Sequence, residues 1–130
     1  MPEINTEEVL GNVSVYPVAA STTIYKGEIA CINSSGYLVA GSKTTGLKAV
    51  GIAQETVTAV SAGDASCEVK RGTFLLTNLS TDEVDLADVG SDCYIHNSGT
   101  VCATETETPS HSVAGVVQNI IGGKVAVKFN

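Results

Sequence analysis

Apolar and polar residues alternate along much of this chain in short runs, and glycine, serine or asparagine closes each run. From Gly11 to Ala20 the alternation sets Val13, Val15 and Pro17 against Asn12, Ser14 and Tyr16. A period of two marks a strand with one face buried. Pro17 has no amide to give a ladder, which keeps this strand at an edge or near a bulge. Further strands are predicted near 23–25, 28–33, 37–40, 47–54, 66–71, 73–77, 92–96, 100–103, 113–119 and 124–129, with turns at 33–36, 41–46, 61–66, 97–99, 104–110 and 122–123. One segment reads as a helix. In Ser80 to Gly90 (STDEVDLADVG), Ser80 and Glu83 have capping-box spacing, Val84, Leu86 and Val89 make a small apolar face, and Gly90 suits a left-handed residue at the end. So many short strands must close on themselves or pair two sheets to hide their edges. The expected fold is all-β, a small β-barrel or sandwich of short antiparallel strands with one short helix.

The pattern also repeats. Gly27 to Gly41, GEIACINSSGYLVAG, lies over Gly90 to Thr104, GSDCYIHNSGTVCAT, at a constant offset that matches Ile32 with Ile95 and Ser35-Gly36 with Ser98-Gly99. With one residue of slippage, Gly51-Ile52-Ala53-Gln54 lies over Gly115-Val116-Val117-Gln118, and Val69-Lys70 then corresponds to Val127-Lys128. Each copy reads as a hairpin closed at a Ser-Gly turn, a strand ending in Gln, and a strand carrying Val-Lys. This suggests a pseudo-twofold body with copies at about 27–71 and 90–128, and self-similarity of this kind decides the architecture. Chance likeness between short Gly-turn hairpins is the competing explanation, since most matched residues are small turn formers.

Composition agrees with strands. Val, Thr and Ser are abundant, and side chains branched at Cβ pack well on a pleated surface. Without Trp and with only 2 Phe, the core is aliphatic. A chain of 130 residues fits one domain with enough buried surface to need no metal or disulfide framework. Residues 13–130 are read as that domain. Residues 1–12 are acidic and polar, their Ile4, Val9 and Leu10 too few for a core of their own, and read as an extended N-terminal arm that packs on a neighbour. The net charge of −7 argues against a grip on nucleic acid, which needs clustered Lys and Arg. No apolar run approaches membrane-spanning length, and MPEINTEEVL has neither the basic nor the apolar region of an export signal, so a cytosolic origin is expected.

Chemistry finds little purchase. Cys31, Cys67, Cys93 and Cys102 show no CxxC spacing, which removes the usual zinc and thioredoxin readings. Cys93 and Cys102 flank one hairpin and face each other in one of its registers, but a cytosolic chain keeps thiols reduced. His96 sits beside a hairpin turn and His111 in a polar loop, neither near a Ser or Cys in a nucleophile-elbow context. Asp82, Glu83, Asp85 and Asp88 lack the spacing of a calcium loop, and the dipole alone favours acids at a helix start. Lys70-Arg71-Gly72 suits a carboxylate or phosphate, although such a pair is more often a solvated strand end. No enzyme, cofactor or metal is expected.

The order of Lys26-Gly27-Glu28, Ala49-Val50-Gly51-Ile52-Ala53-Gln54-Glu55, Val69-Lys70-Arg71-Gly72-Thr73-Phe74 and Leu86-Ala87-Asp88-Val89-Gly90 before Cys93-Tyr94-Ile95 resembles the head decoration, or cement, proteins of tailed bacteriophages. The resemblance runs from about Val13 to Lys128 and lies in order and spacing. It implies a small β-barrel on the capsid exterior of the virion, made in the bacterial host cytoplasm. The partners it implies are the major capsid protein and the chain itself, as a homo-oligomer, most often a trimer. Neither nucleic acid nor membrane is a partner. The cysteine content is higher than the family leads one to expect. Candidate contacts with capsid or neighbouring copies are Ile4, Val9, Leu10, Tyr16, Lys70 and Arg71. The alternatives are a tail or baseplate accessory, or a host-surface carbohydrate-binding module using Tyr16, Tyr25, Tyr37 or Tyr94.

Overall fold

The computed structural model describes residues 12–104 and 111–129, so Ile4, Val9 and Leu10 lie outside the described residues. The strands are β1 (Val13–Pro17), β2 (Thr22–Ile24), β3 (Ile29–Ile32), β4 (Leu38–Ala40), β5 (Lys48–Ala53), β6 (Val57–Ala59), β7 (Ser66–Lys70), β8 (Gly72–Asn78), β9 (Asp92–Asn97), β10 (Thr100–Cys102), β11 (Val113–Ile121) and β12 (Lys124–Phe129). The fold is all-β. Of the expected strands each is present, and β6, a three-residue run without alternation of its own, is added by pairing with β2.

The duplication is present in the ladders. One sheet has the order β4-β3-β5-β7-β1, and a closed barrel has the order β10-β9-β11-β12-β8. Position by position the registers agree. Val13 pairs with Lys70 and Tyr16 with Cys67; in the second unit Thr73 pairs with Lys128 and Leu76 with Val125. Ala30 pairs with Gly51 and Cys31 with Ala49 across a bulge at Val50, while Cys93 pairs with Gly115 and Tyr94 with Val113 across a bulge at Ala114. The turn before each hairpin repeats too. Gly27 N donates to Ala53 O and Gly90 N to Val117 O, both at 2.9 Å. The matched units are therefore larger than the sequence repeat. They run 12–71 and 72–129, because β1 and β8, with no sequence likeness, fill the same place.

The second unit closes through parallel pairing of β10 with β8, Thr100 to Thr77 and Val101 to Asn78. The first closes at the equivalent point through one parallel bridge, Val18 to Leu38. Thr77 N donates to Gly99 O in the second seam. Pro17 stands in the matching place and has no N–H, so the first seam is shorter, as its position on the edge strand requires.

Inside the first unit, Val18, Ile24, Ala30, Leu38, Cys67 and Val69 form one buried cluster. The second unit is filled by Ile95, Val101, Val117, Val125, Val127 and Phe129, with Val84 in the place that Ile24 takes in the first. Ile29, Cys31 and Ile52 belong to this second cluster although their strands are in the first unit. They lie on the outer face of β3 and β5, the face that Ile52 shares with exposed Lys70 across the ladder. Each buried aliphatic side chain contributes roughly 1.5–3 kcal/mol, so this face fixes one unit on the other.

One expectation about the elements is corrected. The helix over Ser80 to Gly90 reduces to a 3-10 turn, Leu86–Asp88, capped by Asp85 and Asp88 instead of Ser80 and Glu83. Val84 leaves the supposed helix face to plug the barrel, held by Asn78, whose amide group bonds both Val84 N and Val84 O. Leu86 and Val89 are left exposed. No disulfide joins Cys93 to Cys102, because the register sets Cys102 opposite Tyr94.

Candidate functional site

Of the candidate contacts, Tyr16, Lys70 and Arg71 come together at one end of the first unit. Pairing of β1 with β7 brings Tyr16 within reach of Arg71, whose Nη2 donates to the phenol oxygen at 2.9 Å. The Arg71 amide donates to Asn12 O, which ties the start of β1 to the end of β7. Lys70 points outward and is exposed. Arg71 departs from the reading as a solvated strand end. It is half-buried, and its Nε is shut off from solvent with no hydrogen-bond partner.

Sequence reasoning did not anticipate the meeting of the two histidines. Their ring centroids lie 6.0 Å apart, and His111 is buried instead of sitting in an open polar loop. Ser112 is beside them, but its hydroxyl is committed to the chain: it donates to Thr44 O and accepts from Leu47 N. It therefore ties the loop before β5 to the start of β11, and no histidine nitrogen bonds it. The thiols are equally withdrawn. Burial pushes Cys31 and Cys93 up to about 12, and burial followed by the nearby Glu55 carboxylate raises Cys67. A thiol held protonated is a poor nucleophile and metal ligand.

The acidic segment is used locally. Asp82 accepts from the amide and hydroxyl of Thr104, and Asp85 and Asp88 cap the 3-10 turn. No group of three or more potential metal ligands occurs among the described residues. A shallow groove of 610 Å³ opens between the 3-10 turn and the β11–β12 hairpin, lined by Leu86, Ile120, Glu83 and Asp85 and by no histidine, cysteine or basic residue. Of the tyrosines, Tyr25 is exposed at 58%, while Tyr16 is bonded to Arg71 and Tyr37 is half-buried beside Gly63. They do not form an open aromatic platform.

What remains as surface for recognition is apolar and scattered along strands: Val13 and Val15 on β1, Leu75 on β8, Val113 and Ile121 on β11. Val15 and Leu75 are equivalent in the two units. No family model matches the chain, and neither a curated protein nor a solved structure is detectably similar to it.

Proposed function

We propose that the protein is a decoration protein of a tailed-phage head, one that binds the outer surface of the assembled shell and stabilises it. The observation that carries this reading is the tandem duplication. The residues whose order resembles the cement family lie in the turn before β3, in β5, across the β7–β8 junction, in the 3-10 turn and in β9, and so fall in both of the equivalent units. A body made of repeated units presents repeated surface, and a shell lattice offers repeated binding sites, so weak contacts add by multivalency. A ligand that binds the assembled lattice and not free subunits stabilises the lattice by mass action. The charge of −7 keeps such a protein off DNA and soluble at high copy number. Partners under this reading are the major capsid protein and further copies of the chain.

The test is to mix purified protein with expanded, undecorated capsids. Under this reading it co-sediments with them at a stoichiometry set by the lattice and raises the temperature or osmotic shock at which they rupture. Protein that leaves sedimentation and rupture unchanged overturns it. Binding to tail or baseplate assemblies, or to a glycan array through Tyr25, would favour the alternatives instead.

A further inference from the structure

The contact between the two units is one-sided. The outer face of β3 and β5 in the first unit covers one end of the second, the end formed by the β9–β10 hairpin and the last residues of β12. Ile29 N donates to Ser98 O at 2.7 Å, and a Cβ placed on Gly41 would lie between Ile29 and Ile95. On the covering side Ile29 and Cys31 are fully buried and Ile52 nearly so; on the covered end so are Ile95, Ala114 and Phe129.

The registers say which residues hold these places in the other unit. On the outer face of the second unit Asp92 replaces Ile29, Tyr94 replaces Cys31 and Val116 replaces Ile52. Asp92 is exposed and the other two are half-buried. At the matching end of the first unit Ile32 replaces Ile95, Val50 replaces Ala114, Arg71 replaces Phe129 and Ser35 replaces Ser98. Ile32, Val50 and Arg71 are half-buried and Ser35 is exposed. Each half of the internal contact thus exists once more outside it, with Asp92 and Ser35 exposed and the rest half-buried.

We propose that these two surfaces bind each other between copies of this chain: the outer face of the second unit of one copy, around Asp92 and Val116, covers the open end of the first unit of the next, around Ile32, Val50 and Arg71. The differences from the internal contact are complementary. An acid, Asp92, stands on the face, and a cation, Arg71, stands at the end; Lys128, the cross-strand partner of Val116, is the one cation of its row. A shallow depression of 290 Å³ runs beside Asp92, Val113 and Val116, where Leu47, Lys48 and Ala49 of the first unit form its other wall, and gives the face relief for a partner side chain. A head-to-tail contact of this kind closes into a ring or continues as a filament according to its rotation. It does not depend on the shell reading, because free protein suffices to test it.

The internal hydrogen bond from Ile29 to Ser98 maps onto Asp92 of one copy and Ser35 of the next, both exposed, so cysteines there leave the core intact. The double variant Ser35→Cys with Asp92→Cys, oxidised mildly, is expected to run as a disulfide-linked series of two or more copies. Ser35→Cys mixed with Asp92→Cys gives linked pairs and nothing larger. The native thiols stay out of the reaction because they are buried. Without engineered cysteines, Ile32→Glu and Val116→Glu each sediment as monomers, while their equimolar mixture forms two-copy species through the one intact contact. Wild-type protein that sediments as a monomer at its highest soluble concentration overturns the proposal. So does an oligomer in which the double variant fails to cross-link, or in which mixing the two Glu variants restores no pairing. Failure here leaves capsid binding to be judged by its own assay.

Discussion

Gly51 and Gly115 occupy the same place in the two units, and for both the reason is a backbone. A Cβ on Gly51 would lie 2.4 Å from Lys70 O, and one on Gly115 would lie 2.4 Å from Lys128 O. Neither carbonyl can move without breaking its ladder. Gly51→Ala and Gly115→Ala are therefore each expected to cost about 1–3 kcal/mol in urea unfolding. Gly51→Ala should be the worse, because its φ of +143° is also closed to a side chain. Equal, negligible losses would mean that the strands are not this close. The cysteines give a second residue-scale prediction. Folded Cys31 and Cys93 hold their protons up to about 12, whereas unfolded thiols lose theirs near 9.0. The unfolded chain thus binds fewer protons at these two thiols between those values, so their contribution to stability is level below pH 9 and falls as pH rises toward 12. At pH 8 an alkylating reagent should label these thiols only after denaturant is added.

At the scale of elements, Ile24 and Val84 show why β2 and the 3-10 turn sit where they do. Each drops one aliphatic side chain into the core of its own unit. Ile24→Ala is expected to lose about 2–5 kcal/mol and Val84→Ala somewhat less, while Leu86→Ala, two residues along and exposed, should be near neutral by the same measurement. A costly Leu86→Ala would restore the helix that the capping pattern suggested. Most strands were legible because alternation and Gly-Ser turns report directly on burial and reversal. The helix was misread because Ser80–Glu83 has capping spacing yet Val84 gains more by filling the barrel than by joining Leu86 on a helix face. β1 and β8 could not be matched from sequence at all. Val13 and Thr73, or Tyr16 and Leu76, share a register and no chemistry. The meeting of Arg71 with Tyr16, and of His96 with His111, was equally hidden, since each depends on pairing between distant strands.

For the whole molecule, the placement of Ile29, Cys31 and Ile52 inside the second unit's core predicts how it unfolds. Two self-contained barrels would melt separately. Here the second barrel loses part of its core whenever the first opens, so one cooperative transition is expected by calorimetry and by far-UV circular dichroism. Ile52→Ala should lower that single transition by about 2–5 kcal/mol, whereas Val116→Ala, its half-exposed counterpart, costs less than about 1 kcal/mol in the free monomer. Two resolved transitions in the unmutated chain would contradict the shared core.

In both units the entering and leaving strands are neighbours: β1 lies along β7, β8 along β12, and Arg71 passes into Gly72 with no connecting loop. A unit that begins and ends at one place is a bead that can be threaded. Another copy of residues 72–129 inserted between Arg71 and Gly72 meets a junction the chain already makes, and needs no linker. The fold itself sets no limit on the number of beads.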